Sequence, residues 1–295
     1  MSTVHDLLNA KKKQYTAKEI AALAAAFRLK MFDVLHARQT GHWGGSSSAA
    51  ELMAALYFNR LNIDTANPKW EGRDRFVMSK GHASINLYTI LAYRGFFDRE
   101  KLASFRTHGS ILQGHPSMKL VPGVDMSSGA LGHGVSVAAG MALASAISGA
   151  RYKTYVLTGE GCLDEGSTWE AILFSAKYRP WGLSLLVDYN KVQLDGTAKD
   201  ILPLEPLEDK FRAFGWHLAP KKYDGHNVEA ILESFAWIDS DDVWPKVVVY
   251  DTVKGKGVDF MEGKNAWHGA PIDDESYAKG RPQLAADAEK KEAAL

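Results

Sequence analysis

Histidines next to glycines are the first chemical feature of this sequence. Seven of the ten histidines have a glycine neighbour, namely His42, His82, His108, His115, His133, His226 and His268. With 26 glycines in 295 residues, chance gives about two such histidines. Glycine lets the backbone approach a ligand closely, and histidine donates to anions and transfers protons near neutral pH. We therefore expect several of these loops to converge on one site, and we interpret His108 and His226 as ordinary turn histidines.

A second set of chemistry-bearing residues follows two apolar segments. Gly159-Glu160-Gly161 comes after the first segment, and Asp188 and Asn190 stand at the end of the second. Ligands of α/β proteins bind at the carboxyl ends of parallel strands, where backbone N–H groups can hold phosphate. Carboxylate, amide and carbonyl oxygens suit Mg²⁺ or Ca²⁺. The pattern favours a phosphate and metal site, and turn capping by Asp188 and Asn190 is the alternative explanation.

Alternating helical and β-branched segments must position these residues. Apolar residues at helical spacing predict a first helix over Ala17–Ala37. Strands are predicted at Tyr155–Thr158, Leu183–Tyr189 and Val247–Val253, and helices at Ser167–Tyr178, Leu207–Phe214 and Val228–Ile238. The alternation predicts an α/β fold with a parallel sheet flanked by helices, and the apolar strands indicate burial on both faces.

The segment Met126–Ala150 contains no Asp, Glu, Lys or Arg. Its serines, glycines and His133 argue against a lipid-spanning helix, so we expect a loop that enters a closely packed internal helix. The chain after Pro282 is rich in Ala and in charged residues. We expect one domain over residues 1–282 and a loosely held helical tail over residues 283–295.

The composition excludes several classes of protein. Lys plus Arg and Asp plus Glu both total 35, and this zero net charge does not favour nucleic acid or an anionic membrane as a partner. The single Cys162 can form neither an intramolecular disulfide nor a thiolate metal cage, which is typical of a reducing compartment. Acidic residues interrupt the N-terminal basic and apolar segments, which argues against a signal peptide. We expect a cytoplasmic protein.

Six motifs occur in a characteristic order over roughly residues 17 to 280. They are Gly41–Gly45, Arg73–Ala83, Gly114–Pro116, Gly129–Gly134, Gly159–Asn190 and Lys254–Gly269. In this order they resemble the thiamine diphosphate-binding domain of transketolases, and in particular the N-terminal subunit of split transketolases. The resemblance implies the thiamine diphosphate-binding fold and an enzyme that transfers a two-carbon ketol unit between sugar phosphates, with the cofactor supplying the carbon–carbon chemistry.

The resemblance also implies roles for individual residues. The expected ligands of the divalent metal, Mg²⁺ or Ca²⁺, are Glu160, Asn190 and the carbonyl of Val192. The expected contacts of thiamine diphosphate are His82, Gly129, Leu131, Gly161, Glu165, Asn190 and His268. The expected catalytic residues, which would bind donor hydroxyls and assist proton transfer, are His42, His115 and His268. In the family, the position of Glu165 belongs to a subunit contact beside the site.

Three residues depart from the family pattern. Glu160 stands where aspartate is usual, Trp43 stands where a smaller residue or proline is usual, and His133 stands where glutamine is common. The extra methylene of Glu160 must move the backbone or change the metal geometry, which is strict for Mg²⁺ and looser for Ca²⁺. Either Trp43 or His133 could reshape the selection of the ketose donor.

The resemblance covers only one part of such an enzyme. In the family, a glutamate from a pyrimidine-binding domain activates the cofactor, and basic residues of that domain hold the substrate phosphate. We therefore expect a partner chain, a C-terminal transketolase subunit, in an α2β2 heterotetramer. Two alternatives stay open: the alpha subunit of a 2-oxo-acid dehydrogenase decarboxylase, and a non-catalytic cofactor-binding regulatory protein. The histidine set favours transketolase over both.

Overall fold

A computed structural model describes residues 3–10 and 12–295 of the chain, so Met1, Ser2 and Lys11 of the expected domain lie outside the described residues. Its strands are β1 (Arg75–Met78), β2 (Thr154–Gly159), β3 (Leu183–Tyr189), β4 (His217–Leu218), β5 (Tyr223–Asp224) and β6 (Lys246–Asp251). They pair in parallel in the order β1-β2-β3-β6-β4, with β5 beside the end of β6. The expected parallel sheet is confirmed, and β1 is a strand that the sequence pattern did not indicate.

Helices cover the sheet on both faces. The α-helices are α1 (Val4–Asn9), α2 (Ala17–Arg38), α3 (Trp43–Ser47), α4 (Ala50–Ala55), α5 (Ser84–Arg94), α6 (His133–Ser148), α7 (Glu160–Leu163), α8 (Gly166–Tyr178), α9 (Ala198–Ile201), α10 (Leu207–Ala213), α11 (Val228–Ile238) and α12 (Asp274–Glu292). Alternate strand residues point to opposite faces, so Tyr155 and Leu157 join one apolar cluster while Val156 joins the other. Burial on both faces explains why these strands are continuous apolar runs.

The register of the sheet brings its functional loops to one edge. Gly159 at the end of β2 pairs with Asp188 of β3, and Asp188 pairs with Tyr250 of β6. Because the strands are parallel, the segments after β1, β2, β3 and β6 all leave from the same edge. This is the edge at which α/β proteins bind ligands.

The C-terminal helix α12, which includes most of the tail expected over residues 283–295, packs along α2. Tyr277 stacks on His36 with ring centroids 3.8 Å apart, and its hydroxyl donates to Asp33. Gly280 leaves room for the ring of Phe32, since a Cβ there would lie 2.8 Å from that ring. The helix is continuous through Pro282, so the boundary expected at residue 282 falls inside one element. Aromatic and small residues on its inner face account for the close packing.

Helix α6 is packed on one side only, which corrects the expectation of a closely packed internal helix. Val135, Ala138 and Ala142 are buried, whereas Val137 is 37% and Ile147 is 79% exposed. The small residues of α6 press it against the sheet, and its other face has no cover in the described chain. None of the helices in the described residues is long and apolar enough to span a membrane.

Two glycines of α6 provide a matched test of this packing. A Cβ at Gly134 would lie 2.4 Å from the Cβ of Ser79, whereas a Cβ at Gly140 would meet nothing within 4 Å. We expect Gly134→Ala to lower the free energy of unfolding by about 1–3 kcal/mol, because the methyl group forces α6 away from β1. Gly140→Ala should raise it by about 0.5–1 kcal/mol through helix propensity. Urea unfolding of both variants measures the difference, and equal effects would contradict the close approach at Gly134.

Candidate active site

A cavity of about 170 Å³ opens at the carboxyl edge of the sheet. Its lining residues are Gly45, Lys80, His82, Leu131, Gly159, Glu160, Gly161, Cys162, Asn190, Val192, Gln193, Leu194, Lys254 and His268. Most of the residues expected to hold a cofactor or metal are thus brought together, and the exceptions are Gly129 and Glu165. The catalytic candidates His42 and His115 lie outside the lining.

Lys80 lines the cavity and is paired with a buried carboxylate. It stands two residues after β1, and its ammonium group forms an ion pair with Asp188 at the end of β3. The same carboxylate accepts hydrogen bonds from Ser48 Oγ at 2.6 Å and from Thr252 Oγ1. Burial opposes ionisation of Asp188, but Lys80 and the hydroxyl donors lower its pKa below the usual value. Asp188 therefore carries a charge although it is fully buried.

Lys254 is the second cation of the cavity. It follows β6, and its Nζ donates to the carbonyls of Val192 and Gln193, both at 2.9 Å. A third contact, of 2.8 Å, joins Nζ to Nδ1 of His268. Burial and then the charge of Lys80 lower the pKa of Lys254 to about 8. The ammonium group is bound to neutral acceptors, which leaves it suited to an anionic ligand.

Three imidazole rings cluster at the cavity, and two of them, His82 and His268, line it. His42 lies 5.2 Å from His82 and 5.3 Å from His268 between ring centroids, and His82 and His268 stack at 4.9 Å. Burial, assisted by neighbouring cations, lowers the pKa of His42 to about 4 and that of His268 to about 3. Burial likewise lowers the pKa of His82. All three rings are therefore neutral at pH 7.

The Lys254 contact fixes the tautomer of His268. An ammonium group has no lone pair, so Nδ1 of His268 must accept the hydrogen bond and the ring proton must be on Nε2. His268 therefore presents an N–H donor at its free nitrogen. Among the described residues, the buried Nδ1 of His42 has no hydrogen-bond partner.

The three expected metal ligands also line the cavity. Glu160 begins α7 directly after β2, and its carboxylate accepts a hydrogen bond from the backbone N–H of Lys191. Asn190 Oδ1 accepts from the N–H of Val192 at 3.2 Å. Burial and then Asp188 raise the pKa of Glu160 to about 8, so a nearby cation would stabilise its ionised form. In the described chain no group of three or more His, Cys, Asp or Glu side chains could hold a metal, and the expected set has one carboxylate with amide and carbonyl oxygens.

Glycines after His42 make room for the basic residues. A Cβ at Gly44 would lie 2.8 Å from Cγ and Cε of Lys254, so only glycine admits the alkyl stem of that lysine. A Cβ at Gly45 would lie 3.2 Å from Nε2 of His82. These two glycines thus have a physical cause at this site, namely the close approach of loops.

The remaining site candidates surround the cavity without lining it. His115 is exposed, and its ring would lie 3.3 Å from a Cβ at Gly129. Gly129 in turn has its backbone nitrogen 2.9 Å from a Cβ at Gly81, next to His82. Glu165 is the exposed N-cap of α8 and packs against Gly132. These residues belong to loops around the cavity.

The two other departures from the family pattern point away from the cavity or into solvent. Trp43 is 1% exposed and packs edge-on against Phe32 of α2 at 4.9 Å. His133 is the exposed first residue of α6. Trp43 therefore acts on the site through the packing of α3 rather than by direct contact.

Lys80 and Lys254 are the functional residues that sequence reasoning did not single out. Both stand in motifs that it recognised, but neither was given a role. The signal that finds them is position, because each follows the carboxyl end of a parallel strand by two or three residues.

The donor set fits an anionic, phosphate-rich ligand with a divalent cation. Lys80, Lys254 and neutral imidazoles supply hydrogen-bond donors. Glu160, Asn190 and a backbone carbonyl supply hard oxygen atoms. The expected thiamine diphosphate and its metal fit these two kinds of group.

Comparison with known proteins gives a consistent set of relatives. The family model described as transketolase, thiamine diphosphate binding domain, matches residues 20–293. A 6-deoxy-6-sulfo-D-fructose transketolase subunit of Clostridium sp. is 43% identical over 83% of this chain and 88% of its own length. An apulose-4-phosphate transketolase subunit of Phocaeicola vulgatus is 38% identical over 90% of this chain and 93% of its own length.

Solved structures show the same fold within longer chains. The transketolase of Campylobacter jejuni superposes with a TM-score of 0.84 at 28% identity, covering 94% of this chain and 46% of the longer one. The transketolase of Leishmania mexicana gives a TM-score of 0.83 at 27% identity, covering 95% and 46%. The chain thus spans slightly less than half of these structures and nearly all of the two relatives above.

The buried Lys80–Asp188 pair leads to a stability prediction. Lys80→Met leaves the Asp188 charge without its cation, and we expect the free energy of unfolding to fall by about 3–5 kcal/mol. Lys191→Met is the control, because its pair with Asp251 is half exposed and should contribute less than about 1 kcal/mol. Urea unfolding at pH 7 measures both variants. Equal losses in the two would contradict the central role of the buried pair.

Proposed function

Because this chain belongs to the transketolase family and matches the thiamine diphosphate-binding domain of that family, we propose that it is the diphosphate-binding subunit of a two-chain transketolase. The observation that carries the proposal is the cavity lined by Lys80, Lys254, His82 and His268 together with Glu160 and Asn190. The lengths of the relatives support the two-chain form, since two similar proteins named as transketolase subunits are matched over most of their length.

The chain would hold the cofactor through residues that line the cavity. Lys80, Lys254 and His82 would bind the diphosphate together with the N–H donor of His268 and the Gly161 amide. Glu160, Asn190 and the Val192 carbonyl would hold Mg²⁺ or Ca²⁺; that carbonyl accepts from Lys254, and a carbonyl oxygen has a second lone pair. Bound thiamine diphosphate supplies the chemistry that breaks and forms the carbon–carbon bond.

The neutral histidines would handle protons on the sugar. His42 and His268 are neutral at pH 7 because burial lowers the pKa of each ring, so each can accept or donate a proton at one nitrogen. His115 stands near enough to His42 to influence the pKa of that ring. We assign these three residues to the binding of donor hydroxyls and to proton transfer.

The substrates would be sugars with an anionic terminal group. The relatives carry the names of a sulfonated and a phosphorylated sugar. Arg106 is exposed, and its charge contributes to lowering the pKa of both His42 and His115. A cation on this side of the histidines favours a sugar phosphate or sulfonate over a neutral sugar.

The uncovered apolar face would bind the partner chain that carries the pyrimidine-binding domain. Helices α6 and α8 pack against each other and expose Val137, Ile147, Leu173, Phe174 and Tyr178. Both helices begin at the site, since α6 follows the lining residue Leu131 and α8 follows α7. A surface of this kind marks an interface, and its continuity with the cavity favours the chain that completes the active site. An α2β2 assembly is the arrangement we propose.

The first test is reconstitution. We expect the purified chain alone to show no ketol transfer, and a mixture with its C-terminal partner chain to transfer a two-carbon unit from a ketose phosphate to an aldose phosphate. A coupled spectrophotometric assay measures the rate. Turnover by the rigorously purified single chain would overturn the two-chain form of the proposal.

Surface variants provide the control for this experiment. Leu173→Asp places a charge on the exposed face of α8 and should weaken assembly about tenfold or more, as measured by sedimentation. Val243→Asp changes a similarly exposed apolar residue, 52% exposed, outside α6 and α8 and should leave assembly unchanged. Equal effects of the two would remove this face from the interface.

The second test concerns the metal position. Glu160→Gln removes the anionic oxygen and should weaken metal-dependent binding of thiamine diphosphate by about ten- to a hundredfold, whereas Glu160→Asp should keep most of it. Calorimetric titrations with Mg²⁺ and Ca²⁺ in parallel measure both variants in the assembled protein. The glutamine variant should fold normally, because an amide is easier to bury than the carboxylate. Wild-type affinity in Glu160→Gln would exclude Glu160 from the metal site.

A further inference from the structure

The ring of His226 links Glu51 of α4 to the backbone of Val253, which follows β6. Its Nδ1 lies 3.1 Å from the Glu51 carboxylate of α4, and its Nε2 accepts a hydrogen bond of 2.9 Å from the backbone N–H of Val253. Only 14% of its side chain is exposed. The interpretation of His226 as an ordinary turn histidine is therefore wrong.

The donors and acceptors around His226 fix its protonation state. A backbone N–H can only donate, so Nε2 must carry a lone pair and Nδ1 must carry the proton. The Glu51 carboxylate is ionised, because Arg28 and His226 lower its pKa against the effect of burial. Nδ1–H therefore donates to a fixed negative charge, which orients the ring toward Val253.

The turn that carries His226 is itself held against the end of β6. The N–H of Gly225 donates to the carbonyl of Asp251 at 2.9 Å, and the N–H of His226 donates to Asp224 at 2.8 Å. A Cβ at Gly225 would lie 2.4 Å from Cγ2 of Thr252, so this turn can sit so close only with glycine there. The ring of His226 has little freedom to move away.

Val253 matters because the next residue is Lys254. The flanking residues are anchored by their own contacts, Thr252 through Asp188 and Gly255 through the carbonyl of Gly44 at 3.0 Å. Between these anchors, the hydrogen bond to His226 holds the Thr252–Val253 peptide, one residue before Lys254. The side chain of Lys254 in turn fixes the tautomer of His268.

We propose that His226 is a positioning residue that holds the Thr252–Val253 peptide, one residue before Lys254, and thereby sets Lys254 and His268 for the diphosphate. It contacts neither the cavity nor its ligand and acts only through Val253. The other end of the link is the buried pair of Glu51 with Arg28, at 2.5 Å, and Lys291 of α12 approaches Glu51 at 4.0 Å. This inference rests on the proposed function, because that function supplies the diphosphate that Lys254 and His268 would bind.

Two isosteric variants separate the two hydrogen bonds of His226. In H226Q, the side-chain oxygen reaches the position of Nε2 and can still accept from Val253, but the donor to Glu51 is lost. In H226N, the side-chain amide reaches the position of Nδ1 and can still donate to Glu51, but the acceptor for Val253 is lost. A role through Val253 and a role in stabilising Glu51 therefore predict opposite rankings.

The dissociation constant of thiamine diphosphate at fixed Mg²⁺ is measured by calorimetry for the chain with its partner. We expect H226N to raise it about tenfold and H226Q to keep it within about threefold of wild type. Hydrogen exchange of the full chain without ligand gives an independent readout. The Val253 amide should exchange about tenfold faster in H226N and at the wild-type rate in H226Q.

Other outcomes would contradict the proposal. Equal dissociation constants in both variants, or weaker binding in H226Q alone, would overturn the proposal. Loss of the fold in H226N, checked by thermal unfolding, would also overturn it, because the Val253 bond would then maintain the whole structure rather than the cavity. If wild-type protein binds no thiamine diphosphate, the proposed function fails, and the exchange rates of Val253 still decide whether His226 holds this peptide.

Discussion

The buried ion pair between Lys80 and Asp188 is the interaction on which the rest of the site depends. Lys80 follows β1, Asp188 belongs to β3, and the same carboxylate accepts from Ser48 after α3 and from Thr252 after β6. Four segments that are distant in sequence therefore meet at one carboxylate that is 0% exposed. A charge at this depth is stable only while its partners stay in place, so movement of any one segment is opposed by the others. The loops of the cavity start from these fixed points.

The charged groups at the cavity indicate what kind of ligand it would bind. Asp188 neutralises Lys80, whereas the hydrogen bonds of Lys254 go to two carbonyls and a neutral imidazole. The pKa of Lys254 is lowered to about 8 and that of Glu160 is raised to about 8, so burial disfavours both charges. A ligand with anionic oxygens would supply a counter-charge for Lys254, and a divalent cation would supply a counter-charge for Glu160. A metal-bound diphosphate would therefore stabilise both groups at once, and each of its two parts would favour the binding of the other.

The sequence predicted those elements whose signal is local. β3 and α11 were found because apolar residues recur along them at the period of a buried strand or a helix face. β1 was not found, because it has four residues and begins with Arg75, and without it Lys80 could not be recognised as a strand-end residue. His226 was assigned to a turn, which is correct for its backbone. Its partners Glu51 and Val253 are 175 and 27 residues away, so no local pattern could reveal them.

The cavity and the uncovered apolar face share the same chain segments. Leu131 lines the cavity and the next residue, Gly132, is the N-cap of α6, while Gly161 lines the cavity just before Glu165, the N-cap of α8. A Cβ at Gly132 would lie 2.5 Å from the Cβ of Glu165, so the two helix starts press directly on each other. A chain that packs on α6 and α8 therefore acts on the loops that form the cavity wall. Because linkage is reciprocal, whatever the partner does to cofactor affinity, the cofactor must do to partner affinity by the same factor.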